Sequence, residues 1–518
     1  MEKESRVHKS VMNAKVNIAY FFLFLILSFF SRKIFLDTLG PDFTGLTGTL
    51  QNILGYLNLA ELGLSTAIVF NLFKPVREGN KEAIIELTSL FGYIYRKIGI
   101  FVSFTGFIVA LFLPFVFKNT IFSTPLILLS YSAFLLSSLY GYFLNYKQIL
   151  LTADQKNYVT VIYYQGAQFI TVLLQMLVAY YFHSYYGFIV LQMLYGIIYC
   201  FILENRLKKE YPWFEVDLKR GKILIKKYPN ILKSTKQVFI HRIKDFLLTK
   251  SDQIFIFAFA SLKMVAFYGN YSMVVLRLQS LVNSALDGMG ASVGSLVAEG
   301  DKKNINKIFW ELISLRYFIA SILVYSVGSL IQPFIYLWLG KEYILGWDIV
   351  SLILINFFIM QTRGVVDMFN NAYGHYADVW SAWVEGIINI SVTIFVGLKF
   401  GMIGILVGKL TSMFLIVIFW KPYYLYKDGF KTSYWNYWKG ILTHYLVMGT
   451  SFLLTHFIVG YFPLNPYLGL LQFVSYAGLN FIMIVTIYTP LLIKLAPGAA
   501  DLVYRIPFVS KFIKNRIQ

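Results

Sequence analysis

The chain has 518 residues, of which 58% are apolar, 18% are aromatic and only 14% are charged. Water-soluble proteins have about 25% charged residues, so this composition excludes a soluble globular fold and indicates a chain that spans a lipid bilayer. The net charge of +20 is concentrated in short clusters between apolar segments. This distribution points to orientation in a membrane and not to nucleic acid as a partner.

A helix needs about 20 apolar residues to cross a bilayer, and fourteen segments of the chain meet this requirement. The first follows Lys3, Arg6, Lys9 and Lys15, as in a signal peptide, but it is long and has no small-residue cleavage site. We therefore predict an uncleaved first span. The predicted spans are residues 16–36, 44–72, 87–117, 125–151, 158–182, 184–204, 236–260, 265–297, 306–338, 344–373, 379–398, 401–426, 439–462 and 468–495.

Lysine and arginine are concentrated in alternate connections of this pattern. The basic regions are the N-terminus, the loops at 73–83, 147–157, 205–236, 299–307 and 421–439, and the C-terminal tail. The opposite loops contain only Lys118, Lys263, Lys341 and Lys399. Because cytoplasmic loops carry the excess of positive charge, we predict a multi-pass protein with both termini in the cytoplasm.

Two short motifs recur at nearly one offset. Val76–Lys81 and Val297–Lys302 are 221 residues apart, and Phe43-Thr44-Gly45 and Phe267-Tyr268-Gly269 are 224 residues apart. Both copies of the first motif follow a span, the second and the eighth, and both copies of the second motif open those same spans. These equivalent positions favour two six-span halves in parallel orientation, a plan known in transporters. The alternative is that both copies of the first motif are generic turns between helices.

The repeat leads to a prediction of four regions. We expect an N-terminal six-helix lobe at 1–204, a basic cytoplasmic linker at 205–236, a C-terminal six-helix lobe at 237–430, and two further spans with a basic cytoplasmic tail at 431–518. The linker mixes lysine and arginine with Trp213, Phe214 and Ile223–Ile225. This pattern is typical of an amphipathic segment on the membrane surface, in contact with anionic lipid headgroups.

The sequence has none of the common motifs of metal-dependent or nucleotide-binding enzymes. Cys200 is the single cysteine, and no His-x-x-x-His pair, phosphate-binding glycine loop or metal-ligand spacing is present. We therefore predict a protein that is not an enzyme and has no metal or organic cofactor.

A stripe of polar and small residues follows one face of the second span, at steps of three and four residues. Its members are Thr44, Gly48, Gln51, Gly55, Asn58, Glu61 and Ser65. Close helix packing accounts for the small residues, but not for Glu61 near the middle of the span. We therefore favour a face that lines a cavity.

Charged residues recur within the other predicted spans. A charge in lipid costs roughly 2.5–3.5 kcal/mol or more, so each requires a partner, a water-filled cavity or a position at the end of a span. Arg363 and Asp367 lie one turn apart and also suit a structural intrahelical pair. Glu385 and Asn389 lie one turn apart on the following span. Basic groups outnumber acidic ones, which favours a cavity for an anionic cargo, because arginine donates two parallel hydrogen bonds to phosphate.

The motifs taken in order resemble the polysaccharide-biosynthesis flippases, the Wzx-like members of the multidrug/oligosaccharidyl-lipid/polysaccharide (MOP) exporter superfamily. The resemblance covers about residues 15–430. The matching residues are Leu39-Gly40, Gly45, Glu61–Ile68, Lys74-Pro75, Asp252-Gln253-Ile254, Tyr268-Gly269-Asn270-Tyr271, Pro333-Phe334-Ile335, Trp338-Leu339-Gly340 and Gly404–Gly408. Ala266, where glycine is common, and Lys250 beside Asp252 depart from the pattern.

This resemblance implies an all-α polytopic protein of the bacterial inner membrane. It implies 14 transmembrane helices, with two six-helix lobes in a V around a central cavity plus two C-terminal helices. The implied cargo is an undecaprenyl-diphosphate-linked oligosaccharide for O-antigen, capsule or a related surface glycan, moved by alternating access. A polysaccharide polymerase and the initiating sugar-phosphate transferase are implied partners.

The intramembrane charges supply the candidate site residues. We predict that the diphosphate and first sugars are held by Arg96, Arg242, Lys250, Arg277, Arg363 and Lys409. The candidates for coupling to a proton or sodium gradient, which the resemblance also implies, are Glu61, Asp252, Asp287 and Asp367.

Three alternatives stay open at this point. An ion-coupled exporter of drugs or small metabolites would keep the same fold, although acidic cavity groups would suit cationic drugs better than this surplus of basic groups does. A membrane-embedded glycan polymerase or glycosyltransferase would usually carry a substantial external loop, and the predicted external loops are short. A scaffold without transport activity would not require cavity charges in both halves.

Overall fold

The protein is built from α-helices. The computed structural model describes residues 6–58, 64–229, 252–286, 289–374 and 379–505. Within these ranges there is no β-strand, and eleven helices are long and apolar enough to cross a membrane. The prediction of an all-α, multi-pass membrane protein is therefore confirmed. The number of fourteen spans stays a prediction, because segments such as 236–260 lie largely outside the described residues.

The chain divides into two compact units, the N-terminal unit Met1–Ala266 and the C-terminal unit Phe267–Gln518. The helices of the N-terminal unit are α1 Arg6–Leu57, α2 Leu64–Glu78, α3 Lys81–Val116, α4 Thr124–Phe143, α5 Ile149–Ala153, α6 Asn157–Phe182, α7 Tyr185–Glu210, α8 Gly221–Lys227 and α9 at 252–259, with 3₁₀ turns at Asn145–Gln148 and Leu218–Arg220.

The division between the units falls within α10, Leu262–Leu286. The other helices of the C-terminal unit are α11 Met289–Glu299, α12 Lys302–Leu339, α13 Trp347–Thr362, α14 Gly364–Ala372, α15 Val379–Phe400, α16 Met402–Met413, α17 Lys421–Tyr424, α18 Trp435–Gly460, α19 Leu470–Leu495 and α20 Ala499–Arg505. π-Helical turns at Phe414–Trp420 and Leu425–Phe430 flank α17, and a 3₁₀ turn lies at Lys341–Tyr343.

Helix α1 is too long for one membrane crossing. Its 52 residues measure about 78 Å at 1.5 Å per residue, whereas the hydrocarbon core of a bilayer is about 30 Å thick. Gly40 interrupts the helix with a φ of 83°, which glycine adopts readily because it has no Cβ atom, and Pro41 follows. The interruption lies between the predicted spans 16–36 and 44–72, so one long helical element contains the whole of the first predicted span and the start of the second.

The repeated sequence motif forms the same turn in each unit. Gly79 and Gly300 have φ values of 69° and 78° and end the preceding helices. Asn80 Oδ1 then accepts a hydrogen bond from Ala83 N at 3.0 Å at the start of α3, and Asp301 Oδ1 accepts one from Lys303 N at 3.0 Å at the start of α12. Both interpretations of the repeat, duplicated halves and generic turns, account for this geometry.

The described part of the predicted linker packs against α3. Lys227 Nζ lies 2.6 Å from Glu86 Oε2, and Asp217 N donates to Ser89 Oγ at 3.0 Å. On α8, Leu224 is buried while the neighbouring Ile223 is 72% exposed. An exposed apolar side chain among exposed lysines is consistent with the predicted contact with lipid headgroups, which stays a prediction.

A polar network joins the start of α1 to the turn before α6. Asp154 Oδ1 lies 2.7 Å from Lys9 Nζ, and Asp154 Oδ2 accepts a hydrogen bond from Tyr211 OH at 2.7 Å. Lys156 Nζ lies 3.4 Å from Asp154 and 2.5 Å from Glu210. Burial raises the pKa of Asp154, but the hydrogen bonds from Lys9 and Tyr211 and the charges of Lys9 and Lys156 outweigh it and hold the pKa below its ordinary value of 3.8.

The lowered pKa of Asp154 predicts a pH-dependent contribution to stability. A carboxyl whose pKa is depressed by folding stabilises the fold above its ordinary pKa, and this contribution is lost as the pH falls through the folded-state pKa. We expect Asp154→Asn to cost about 2 kcal/mol at pH 7, since charge-assisted hydrogen bonds are lost. The measurement is the melting temperature in detergent of both proteins from pH 7 to pH 3, where the difference should shrink below about pH 4.

The control for this prediction is Asp428→Asn, which alters an exposed carboxylate of the C-terminal unit. We expect this variant to melt close to the wild type throughout the range. A difference between Asp154→Asn and the wild type that stayed constant down to pH 3 would contradict the assigned role of the ionised carboxylate.

Helices α15 and α16 of the C-terminal unit approach each other through glycine. A Cβ atom at Gly404 would lie 2.4 Å from the backbone carbonyl carbon of Val396, and one at Gly408 would lie 2.3 Å from Thr393 Oγ1. Both distances are shorter than van der Waals contact. The spacing of two small residues four apart is the arrangement that lets membrane helices pack with their backbones close together.

The C-terminal helices are attached to α12. Arg505 Nε of α20 lies 2.7 Å from Glu311 Oε2, and Lys307 Nζ lies 3.0 Å from Asp501 Oδ1. Tyr488 of α19 is fully buried and accepts a hydrogen bond from Ser321 Oγ at 3.0 Å. The two predicted C-terminal spans therefore form part of the C-terminal unit.

Candidate functional site

Four charged side chains meet inside the C-terminal unit, and we call them the charge cluster: Arg363, Asp367, Glu385 and Lys421. Arg363 stands between α13 and α14, and its Nε lies 2.8 Å from Asp367 Oδ2, one turn further along. Lys421, the first residue of α17, contacts Asp367 Oδ1. The side chains of Arg363 and Lys421 are only 14% and 13% exposed, so both cations have been withdrawn from water.

Glu385 is the member of the charge cluster with the fewest contacts. It lies on α15 with a side-chain exposure of 1%, and its Oε1 is 3.8 Å from Arg363 Nη1. Neither carboxylate oxygen accepts a hydrogen bond from the described residues. Asn389 is buried one turn along α15 and contacts Thr393 Oγ1 at 3.3 Å. Since a buried charge is stable only with hydrogen-bonding partners, Glu385 has unused capacity for a proton, a cation or a ligand.

A further cation lies beside the charge cluster. The guanidinium of Arg316, a buried residue of α12, lies so close to Gly364 that a Cβ atom there would be 3.1 Å from Nη2. Together, the described residues at this place contribute three basic groups and two acidic ones. Among the described residues, the basic groups at this place therefore outnumber the acidic ones by one.

The structure describes six of the ten predicted site residues. Arg363 and Asp367 are in direct contact, so the pair predicted from their spacing exists. In the N-terminal unit, Arg96 is exposed on α3 and Asp252 is buried on α9. In the C-terminal unit, Arg277 of α10 and Lys409 of α16 are partly buried. The four residues outside the described ranges are Glu61, Arg242, Lys250 and Asp287.

Two members of the charge cluster are absent from the predicted site. The charge pattern assigns Lys421 to a cytoplasmic connection, but the structure places it in the continuous helical run from Met402 to Phe430, where it pairs with Asp367. Glu385 was recognised as an intramembrane charge, but its separation from Arg363 by 22 positions contains no information about their proximity. Only the packing of α15 against the neighbouring helices supplies that contact.

The N-terminal unit contains a polar cavity of about 390 Å³. Gln51 and Asn58 from the predicted polar stripe line it, together with residues of α4, α6, α7 and the 3₁₀ turn after α4. Four tyrosines contribute to the wall, and we therefore call it the tyrosine cavity: Tyr140, Tyr164, Tyr195 and Tyr199. The cavity-lining interpretation of the stripe thus holds for Gln51 and Asn58. Gly45, which is on the same helix but not in the stripe, makes a close contact with the backbone of Leu262.

Solved structures with the same fold are membrane transporters. The structure of the lipid II flippase MurJ in an inward closed conformation matches with a TM-score of 0.61 and 12% identity, covering 93% of this chain and 100% of that one. An inward-facing multidrug resistance transporter of the MATE family, within the MOP superfamily, matches with a TM-score of 0.53 and 14% identity, covering 77% and 94%. No protein-family model and no curated protein matches the sequence. The chain therefore has the fold of these transporters, and neither of them is an enzyme.

Proposed function

We propose that the protein is a Wzx-like flippase of lipid-linked oligosaccharides. It moves an undecaprenyl-diphosphate-linked glycan unit from the cytoplasmic to the outer face of the bacterial inner membrane, for O-antigen, capsular or exopolysaccharide biosynthesis. It does so by alternating access, with both termini in the cytoplasm. A polysaccharide polymerase and a sugar-phosphate transferase act after and before it on the same cargo.

The observation that carries this proposal is the extent of the fold match with the lipid II flippase MurJ. The match leaves out 7% of this chain, or about 36 residues, which is fewer than the residues of the stretch Trp435–Arg505. The match therefore includes part of the C-terminal helices as well as both units. Fold alone does not identify a cargo, so the proposal also rests on the charge cluster and on the resemblance of the sequence motifs.

The charge cluster suits a diphosphate. Arg363 offers a planar fork of hydrogen-bond donors, and Lys421 offers a compact positive charge. Both side chains are largely shielded from water, and electrostatic attraction is stronger in such an environment than in water. In the described arrangement, Asp367 forms ion pairs with both Arg363 and Lys421. A diphosphate would compete with Asp367 for Arg363 and Lys421, so cargo binding would change the internal ion pairing. Such a difference between states is what a driven conformational switch requires.

Coupling to a proton or sodium ion is part of the proposal. Among the candidates in the described residues, Asp367 already contacts two cations, whereas Glu385 is buried with one cation at 3.8 Å. Glu385 is therefore better suited than Asp367 to take up an ion during the cycle. Asp252, Arg96, Arg277 and Lys409 stay candidates for contact with the cargo or the coupling ion.

The experiment that tests the proposed function is made on a knockout strain. An externally added glycan-binding probe reports undecaprenyl-diphosphate oligosaccharide on the outer face, and lysed cells report the total. We expect accumulation on the cytoplasmic face, relieved by the intact gene. Normal outward display in the knockout would overturn the proposal.

Site variants extend the same assay. At equal expression, we expect Arg277→Ala and Lys409→Ala each to reduce surface glycan about tenfold, because a charge-assisted hydrogen bond to phosphate is worth roughly 1.5–3 kcal/mol and 1.4 kcal/mol corresponds to a factor of ten. Lys439→Ala, at an exposed position of α18, is the control. Unchanged surface glycan in both variants would exclude these two residues from holding the diphosphate.

A second candidate function is an ion-coupled exporter of drugs or small metabolites. The fold match with a multidrug resistance transporter favours it. The excess of basic over acidic groups around Arg363 argues against cationic drugs as the cargo. In the knockout assay, this function predicts normal display of glycan and altered resistance to added compounds.

A further inference from the structure

The residues of the tyrosine cavity differ in chemical type from those of the charge cluster. None of its lining residues in the described chain is charged. The charged groups nearest in sequence pair with one another: Glu204 Oε1 lies 2.7 Å from Lys147 Nζ and 3.7 Å from Lys208 Nζ. A cavity without a charged side chain offers no full charge to pair with phosphate or with an organic cation. Its amides and hydroxyls suit a neutral ligand with several hydroxyl groups.

The walls of the tyrosine cavity are held by hydrogen bonds between side chains. Asn58 Oδ1 accepts from Ser138 Oγ at 2.8 Å, and Tyr199 OH donates to Gln148 Oε1 at 2.5 Å. The first contact joins the end of α1 to α4, and the second joins α7 to the 3₁₀ turn after α4. Polar side chains inside a membrane bundle are costly unless they are paired or used, so this set of amides and hydroxyls requires an explanation.

One buried hydroxyl of the wall has no well-aligned hydrogen bond in the described residues. Tyr195 is 8% exposed, and its OH interacts with the neighbouring Tyr164 without the geometry of a full hydrogen bond. Leaving a buried hydroxyl unpaired costs about 1–3 kcal/mol. A ligand in the cavity that offers a donor or acceptor would remove this cost.

The aromatic rings form flat faces beside the polar groups. Tyr195 and Tyr199 are nearly parallel, at an interplanar angle of 11°, and Tyr164 meets Tyr199 edge-on with the centroids 5.3 Å apart. A sugar ring presents hydroxyls at its rim, which suit amides and phenols, and C–H groups on its faces, which pack against aromatic rings. A volume of about 390 Å³ is at the lower end of small-molecule sites, which is enough for one or two sugar units.

We propose that the tyrosine cavity binds an uncharged sugar unit of the lipid-linked glycan and so determines which glycan is carried. This inference rests on the proposed function, because it takes the cargo to be a saccharide. It assigns recognition of the sugar to the N-terminal unit, whereas the charge cluster of the C-terminal unit suits the diphosphate. The two parts of the cargo would then be recognised by separate chemistry.

Two variants test the cavity without removing a charge. Gly141 lies in the wall on α4, and a Cβ atom there would meet no atom within 4 Å. Gly141→Leu therefore fills the cavity while leaving every hydrogen-bonding group in place. Tyr195→Phe removes only the hydroxyl of Tyr195. Gly449→Leu, at another open helical glycine, is the control for the added side chain.

The experiment compares two lipids with the purified full-length protein in nanodiscs. One is the undecaprenyl-diphosphate oligosaccharide of the host strain, and the other is undecaprenyl diphosphate without sugar. We expect the wild type and Gly449→Leu to bind the sugar-bearing lipid at least tenfold more tightly. Gly141→Leu should abolish this preference, and Tyr195→Phe should reduce it about fivefold, with binding of the sugar-free lipid unchanged. Melting temperatures show whether each variant is folded.

The outcomes separate the two proposals. Binding of both lipids with equal affinity by the wild type, or a preference that survives Gly141→Leu and Tyr195→Phe, would overturn the assignment of the cavity and leave the flippase proposal intact. Binding of neither lipid by the wild type would remove the proposed function, and with it the inference. A Gly141→Leu variant that fails to fold leaves the decision to Tyr195→Phe.

Discussion

Replacing Asp367 with asparagine will destabilise the protein more than replacing Asp367 and Lys421 together. Asp367 is the carboxylate that contacts both Arg363 and Lys421. Its loss leaves two largely buried cations without this partner, and breaking a buried ion pair on one side typically costs about 3–5 kcal/mol. Adding Lys421→Met removes one of the two cations that Asp367 contacts, so the double variant should recover part of that stability. The measurement is thermal unfolding of the wild type, Asp367→Asn and the double variant in one detergent.

The control for the double-variant comparison is Lys439→Met, which removes an exposed lysine from α18. We expect its effect to be small and simply additive with that of Asp367→Asn, because the two residues share no partner in the described structure. Equal melting temperatures for Asp367→Asn and the double variant would contradict the ion-pair interpretation. In the surface-glycan assay, both variants should be impaired whatever their stability, since each alters the groups proposed to hold the diphosphate.

Replacing Gly404 with alanine will disrupt the contact between α15 and α16. The new Cβ atom would lie 2.4 Å from the backbone of Val396, and backbone cannot rotate away as a flexible side chain can. Overpacking typically costs about 1–3 kcal/mol, against a gain of up to about 1 kcal/mol from the higher helix propensity of alanine. We expect a net decrease in melting temperature and in the yield of folded protein.

Gly386 provides a matched control on α15 itself. A Cβ atom at this glycine would meet no atom within 4 Å, so Gly386→Ala keeps the propensity gain and adds no clash. The two substitutions are chemically identical, and their difference isolates the close approach of the helices. A Gly404→Ala variant that melted at or above the temperature of Gly386→Ala would show that the helices do not pack so closely.

The sequence predicts the fold class because the physical signal is large and local. Long apolar segments separated by basic loops have few alternatives, and the α1 interruption at Gly40 is indicated by a glycine followed by proline. The contact between Arg363 and Asp367 follows equally directly from a spacing of four in a helix. Contacts between helices are different, since nothing in the spacing of Glu385 or Lys421 indicates which helix lies opposite.

The charge of Lys421 assigns it to the basic connection 421–439, although the predicted span 401–426 also contains it. In the structure the helical run continues through two π-helical turns to Phe430, so Lys421 lies within a helix. The charge pattern also contains no sign of the tyrosine cavity. The signal for it is a polar one, because Gln192, Tyr195 and Tyr199 share a helix face at steps of three and four.

The interruption at Gly40 also affects how the topology of this protein can be mapped. Helix α1 runs from Arg6 to Leu57 with Gly40 as its one described departure from helical geometry, so the first turn of the chain has no loop. Inserted epitopes need a loop of several residues, which this turn does not offer, although the side chains of Lys33 and Asp37 are 48% and 47% exposed. The connection between α18 and α19, with Tyr461 and Leu468 exposed, does offer such a loop. Failure of an epitope inserted near residue 40 is therefore expected from the continuous helical geometry and carries no information about whether the chain crosses the membrane there.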